Sequence, residues 1–275
     1  MKNTVVDVTF LGTGGAFSAG RRSNLALLIE AGDFRMLVES GPMIMHQLTR
    51  ARIQATEIAQ IFVSHSHGDH TLGFPMLALN RLWDPPPLHV YAAVSTVASL
   101  KALLELAYPG FGDDRFNLHW HELPEQESGE IELTKDVTLR TAVVPHPLGV
   151  PTLAARWDLA GGPSLTFVTD TSPNDAAVAL ARGSDLLIHE ASFSAVLQPD
   201  VDVSQYFHST AQQAGEIARR SGCPSLALVH LGSEIGERPD ALAEEARAGA
   251  DLHVIVPEDG ERVRLDNWER SKRES

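Results

Sequence analysis

Short apolar runs alternate with amphipathic stretches along the whole chain. Residues 5–11, 26–30 and 35–39 carry the β-branched, alternating patterns of strands. Residues 43–52 follow with helical spacing, opening after Pro42, a residue suited to a helix entry. An apolar strand at 61–64 is succeeded by a helix at 71–83, stopped by Pro85, Pro86 and Pro87. A strand at 88–92 and a helix at 95–108 come next, with Ser95 placed as N-cap. After a Gly/Asp-rich loop at 109–115, the second half repeats the style. Strand pairs are expected within 130–144 and at 152–158 with 164–170. A helix at 174–181, a strand at 186–189, a helix at 209–221, a strand at 226–229 and a helix at 239–250 follow. Strands at 253–256 and 262–265 close the pattern, and residues 266–275 read as a charged, frayed tail. No linker rich in Ser, Gly or Pro divides the chain. Two β-sheets packed face to face with helices outside, in one domain over residues 1–275, is the natural arrangement.

The strand at 61–64 leads straight into His65-Ser66-His67-Gly68-Asp69-His70. Neutral imidazole nitrogen and carboxylate oxygen are ordinary zinc ligands, and this density suits one or two divalent ions. Gly68 is expected to let the backbone turn sharply so that His67, Asp69 and His70 converge. Further polar residues recur just after apolar runs: His146 after Val143-Val144-Pro145, Asp170 after Phe167-Val168-Thr169, and His230 after Ala227-Leu228-Val229. Each alone is an ordinary turn residue. In the order His, Asp, His behind the His cluster, they point to strand ends gathered at one edge. His189-Glu190 ends another such run.

The chain holds 36 acidic and 22 basic residues, for a formal charge of −14. That balance offers no general attraction to a phosphate backbone. Cys223 is the single cysteine, so an intramolecular disulfide is excluded and a reducing, cytoplasmic setting is expected. Its context, Ser221-Gly222-Cys223-Pro224, reads as a structural turn. The N-terminus lacks a signal-peptide core, and no apolar window reaches membrane-spanning length, so no membrane partner is expected.

Taken together, these motifs resemble the metallo-β-lactamase superfamily over nearly the whole chain. Thr9-Phe10-Leu11-Gly12-Thr13-Gly14-Gly15, Arg21-Arg22-Ser23-Asn24 and His208-Ser209-Thr210 resemble its ribonuclease Z-like branch. The resemblance implies an α/β fold, the four-layered αββα sandwich, with a dinuclear hydrolytic centre at the sheet edge. It implies His65, His67 and His146 on a first ion, Asp69, His70 and His230 on a second, and Asp170 bridging them. Two such ions could hold a bridging hydroxide and stabilise an in-line displacement. Zinc is the default, with manganese and iron also compatible. Asp69 would hydrogen-bond the attacking water and accept its proton. His208 would contact the scissile phosphate, oriented by Glu190, with Ser209 capping the helix that follows.

Residues 147–169, between His146 and Asp170, hold only a hairpin with Gly161-Gly162-Pro163 at its turn, where ribonuclease Z carries a tRNA-binding arm. A small or nucleotide-derived, anionic phosphodiester is therefore the expected substrate, and tRNA is not expected. A lactonase or other carboxyl or sulfate ester hydrolase, with Phe74, Met76 and Trp83 lining an apolar pocket, is the alternative. A metal-binding module without turnover stands behind both. A symmetric homodimer is compatible with the sequence. Gly12 to Gly15 reads as a tight turn near the metal edge. Arg21 and Arg22 are either solvated or turned toward an anionic substrate. His189 is expected to point away from Glu190 in a structural role. His119 and His121 share a strand face, as surface histidines or an accessory metal site. His46, His89 and His253 carry no assigned role.

Overall fold

The computed structural model describes residues 5–17, 21–82, 86–147 and 149–266. Trp83 and the tail from residue 267 onward lie outside the described residues. One sheet contains β1 (Val6–Gly12), β2 (Ala26–Ala31), β3 (Phe34–Val38), β4 (Gln60–Val63), β5 (Leu88–Ala93), β6 (Leu118–Leu123) and β14 (Glu261–Leu265). Its spatial order is β14-β1-β2-β3-β4-β5-β6. The other contains β7 (Gly129–Thr134), β8 (Val137–Val144), β9 (Thr152–Leu159), β10 (Ser164–Val168), β11 (Leu186–Glu190), β12 (Ser225–Val229) and β13 (His253–Ile255). Its order is β13-β12-β11-β10-β9-β8-β7.

Strand periodicity explains the layering. Alternate residues of β1, β2 and β3 (Val6, Val8, Phe10; Leu27, Ile29; Phe34, Met36, Val38) meet Leu139, Trp157, Leu165, Phe167 and Ile188 of the other sheet in a closed apolar core. The opposite faces bury Leu28, Leu37, Ile61 and Val90 against α1 (Ile44–Arg50), α3 (Phe74–Leu79) and α4 (Val94–Ala107). They bury Val168, Leu187, Leu226 and Leu228 against α6 (Asp175–Ala181), α7 (Ala211–Ser221) and α8 (Pro239–Arg247). The result is the expected αββα sandwich. Among the described residues no helix is long and apolar enough to cross a membrane.

Topology sets the position of the site. β10, β11 and β12 pair in parallel, while β8 and β10 both pair antiparallel to β9, so all four run the same way. The residues just past their ends therefore collect on one edge. The end of β4 faces them, fastened where Leu153 N–H donates to the Ser64 carbonyl at 3.0 Å.

Several local expectations need correction. The helix expected at 71–83 is two short ones, α2 (Gly68–Thr71) and α3. Gly73 separates them because its backbone packs on the Ser40–Gly41 turn; a Cβ there would stand 2.1 Å from the Gly41 oxygen. Gly68 opens α2 rather than making a sharp turn. Ser95 does not cap α4, whose N-cap is Ala93; instead the Ser95 N–H donates to Glu125 Oε2 at 2.9 Å. Ser209 does not cap α7. Thr210 does, in a capping box with Gln213, while the Ser209 hydroxyl donates to the Thr171 carbonyl at 2.7 Å. The loop expected at 109–115 contains the short helix α5 (Asp113–Phe116). Cys223 is buried in its turn, with the thiol donating to the Ala181 carbonyl at 3.0 Å.

Candidate active site

Residues past β4, β8, β10 and β12 converge into two overlapping groups. In each, potential ligand atoms lie within 4.8 Å of one another: His65, His67, His146 and Asp170 in one, Asp69, His70, Asp170 and His230 in the other. Asp170 belongs to both. Its Oδ2 lies 3.7 Å from His65 Nε2, 3.9 Å from His146 Nε2 and 3.5 Å from His70 Nε2, and its Oδ1 lies 3.3 Å from His230 Nε2. Asp69 Oδ2 lies 3.2 Å from His70 Nε2 and 3.3 Å from His230 Nε2. His67 enters through Nδ1, 3.1 Å from His65 Nε2 and 3.2 Å from His146 Nε2.

The inward nitrogens are set from behind. His65 Nδ1 meets the Ser64 hydroxyl at 2.9 Å, His146 Nδ1 faces the Phe207 carbonyl at 3.4 Å, and His230 Nδ1 meets the Ser192 hydroxyl at 3.0 Å. His70 Nδ1 lies 3.4 Å from Glu39 Oε2. Such partners fix the tautomer and ring orientation of metal-binding imidazoles. The backbone is also forced: Glu39, Asp170 and His230 adopt left-handed φ of 68°, 41° and 53°. Non-glycine residues hold that conformation at a cost of about 1–3 kcal/mol each, and only where the surroundings dictate it.

These residues fit divalent cations. Both ring nitrogens of His70 are buried against carboxylate oxygens, yet neither makes a well-aligned hydrogen bond with them. Among the described residues, Asp69 and Asp170 make ion-pair contacts with histidines alone. Burial opposes the ionised form of both, yet the surrounding His230 and His70 hold both well below the usual carboxylate range. Burial drives His146 down to about 4, so its imidazole is a free base at neutral pH.

His208 and Glu190 join from the side, and Glu190, His208 and His230 form a third convergent group. Burial works against the His208 imidazolium, but the Glu190 charge and a 2.9 Å contact from Nδ1 to Oε1 outweigh it and raise His208 to about 9. Glu190 is fully buried. It also accepts from Thr171 N–H at 3.0 Å, Ser209 N–H at 3.1 Å and the Ser192 hydroxyl at 2.7 Å.

Other expectations fare differently. His189 faces the helix layer, with Nδ1 against the Glu190 carbonyl at 2.7 Å, away from the centre. Arg22 is half-buried and donates to Thr13 Oγ1, the Pro257 carbonyl and the Gly236 carbonyl, tying the opening turn down while it lines a pocket with Arg21. Arg21 is exposed and borders a 430 Å³ pocket. In the opening turn, Gly15 lies so close to His230 that a Cβ would stand 3.2 Å from the ring. Of the apolar pocket expected from Phe74, Met76 and Trp83, the two described residues, Phe74 and Met76, do not share a lining. Phe74 is wholly buried under β5 and β6, and Met76 is 49% exposed. His119 and His121 stand on β6, apart from the centre, and His89 is their neighbour rather than a lone residue. Glu39 and Ser192 were not anticipated. Glu39 ends an ordinary strand pattern and Ser192 follows Glu190 in a loop, so nothing in the sequence pattern singled them out.

Comparison with known proteins agrees with this architecture. The family described as "Anti-Pycsar protein Apyc1" matches residues 6–210. Ribonuclease Z of Anoxybacillus flavithermus is 32% identical, with 88% of this chain and 92% of that protein covered. Ribonuclease Z of Natronomonas pharaonis is 28% identical, with 93% and 96% covered. The crystal structure of the short form of human tRNase Z superposes with a TM-score of 0.76 at 24% identity, covering 94% of this chain and 98% of that one. These relatives overturn the expectation that tRNA is not a partner. That expectation rested on a total charge and a missing arm, and neither measures the local field where a nucleic acid would dock. With a family match across most of its length and a sandwich whose strand ends carry the His/Asp clusters, the chain belongs to the Anti-Pycsar protein Apyc1 family and is a ribonuclease Z-like, metal-dependent hydrolase of the metallo-β-lactamase superfamily.

Proposed function

We propose that this protein is a dinuclear phosphodiesterase acting on small or nucleotide-derived phosphodiesters, a class in which its ribonuclease Z relatives keep tRNA. The observation that carries the reading is the half-buried His208 paired with the buried Glu190 beside the two His/Asp groups. In this reading His65, His67 and His146 hold one ion, Asp69, His70 and His230 the other, and Asp170 both, with zinc as the resident metal. When bound, the ions would acidify a water and neutralise charge developing on the phosphoryl oxygens.

The chain's own residues supply the rest. Asp69 stays ionised, so it accepts a hydrogen bond from the attacking water and orients it. Glu190 occupies Nδ1 of His208, leaving Nε2–H free to donate to a phosphoryl oxygen or the departing oxygen. As an imidazolium at neutral pH, His208 matches the charge of a phosphodiester better than that of a neutral lactone.

The test is turnover by metal-loaded protein on bis(p-nitrophenyl) phosphate, cyclic nucleotides, a tRNA precursor and a lactone panel. Phosphodiester turnover is expected, with His208→Ala lowering it about 10²–10⁴-fold. Fast lactone turnover with no phosphodiester turnover would overturn the reading. Metal analysis should assign two ions per chain to this centre.

A further inference from the structure

We propose that His89 and His121, completed by His119, form a separate site for a borderline divalent transition ion such as Zn²⁺ or Cu²⁺. β5 and β6 pair in parallel, with His89 opposite His119 and Tyr91 opposite His121. Side chains alternate along a strand, so these four residues share one face. Farther along that face, Tyr91, Ala93 and Leu123 sink into the core between the sheets, whereas His89 and His121 are half-buried and His119 is exposed. The histidines thus stand where the face emerges into solvent and an ion could enter.

The nitrogens are already close. His89 Nδ1 and His121 Nε2 lie 2.9 Å apart, with ring centroids at 5.1 Å and planes inclined by 30°. Similar approaches of 3.1 and 3.2 Å occur among His65, His67 and His146 in the candidate metal centre. The His119 ring also packs against His89, with centroids 5.1 Å apart. Its Nε2 makes a 3.4 Å contact with Asn117 Oδ1, too long to lock an exposed ring against turning inward. Burial and the neighbouring imidazoles hold His89 and His121 below the ordinary imidazole value, so both are neutral bases at pH 7. Neutral imidazoles select zinc, copper or nickel over magnesium or calcium, and three of them leave a fourth position for water.

This site is not an extension of the catalytic one. The register places His89 level with Gln60, five residues before His65 on the neighbouring strand. At about 3.3 Å per residue, that is roughly 16 Å along the sheet. Because β6 is the outermost strand of its sheet, an ion held by His89 and His121 would tie that edge to β5.

The experiment compares wild type with a His89→Gln/His121→Gln double variant after equilibration with Zn²⁺. The expected result is one ion fewer per chain in the variant, with phosphodiester turnover unchanged. Because the readout is a difference, it holds whatever the catalytic centre binds, and it fails independently of the proposed function. Equal metal content would show that the 2.9 Å approach is only an N–H···N hydrogen bond, and would overturn the proposal. Should the double variant not fold, one equivalent of Cu²⁺ added to protein loaded with only two equivalents of Zn²⁺ gives a second readout by electron paramagnetic resonance. Three-nitrogen coordination is expected in wild type and two-nitrogen coordination in His119→Ala. The same spectrum from both proteins would remove His119 from the site, and a spectrum without nitrogen coupling would refute the site altogether.

Discussion

His208 and Glu190 show how one buried pair sets the working state of a site. The carboxylate makes a 2.9 Å contact to Nδ1 and raises the imidazole to about 9. The sign follows: the donor is protonated at neutral pH and is lost as pH rises through about 9. In Glu190→Gln the largest raising charge disappears while burial and the Asp170 and Asp69 charges remain, and His208 should titrate closer to the ordinary imidazole value of about 6.5. The alkaline limb of the kcat profile should therefore move down by about two pH units, and an unmoved limb would show that His208 is not the proton donor. Ser192 acts one step further back. Its hydroxyl donates to Glu190 Oε2, so it can only accept from Nδ1–H of His230, which leaves His230 Nε2 bare toward Asp69 and Asp170. Ser192→Ala should weaken metal binding about 10–100-fold in a competition titration with a chelating dye. The orientation of His208 by Glu190 was implied by the family resemblance, whereas the Ser192 relation was not legible in the sequence, because hydrogen-bond partners 38 residues apart meet only once strands are in register.

At the scale of elements, the strand ends were legible and the helix starts less so. A strand announces itself by alternation and stops where a polar residue breaks it, so the positions of His65, His146, Asp170 and His230 past their strands followed from the pattern. A helix start is decided by which side chain bonds the first free N–H groups, and Ser209 and Thr210 are both competent by chemistry. The fold gives the Ser209 hydroxyl to Thr171 and leaves Thr210 to accept from Gln213 N–H at 3.2 Å. Thr210→Ala should cost about 1 kcal/mol, read as a lower urea midpoint at unchanged slope. Ser209→Ala, by contrast, should disturb the segment carrying His208 rather than the start of α7. The break at Gly73 was hidden for the same reason, since the segment it packs on, Ser40–Gly41, lies far away in sequence.

At the scale of the molecule, the centre draws residues from both sheets, so ions held there would bind the folded state and not the unfolded chain. Removing them with a chelator should lower apparent stability, by about 4 kcal/mol where free ion had exceeded its dissociation constant a thousandfold. Differential scanning calorimetry should show a lower Tm that recovers on adding Zn²⁺; an unchanged Tm would mean the sandwich holds without them. Net charge proved a poor guide at this scale. A total of −14 averages over the whole surface, whereas recognition of a nucleic acid depends on the charges around one mouth. The amino-acid sequence on its own determined the αββα layering and the chemical identity of the site, because apolar periodicity and the His-x-His-x-Asp-His motif are local properties of the chain. Only the tertiary structure decided that Glu39 and Ser192 orient the imidazoles and that His89 joins His119 and His121. Those facts depend on strand order, register and left-handed backbone at the strand ends, all of which come from packing between residues distant in the chain.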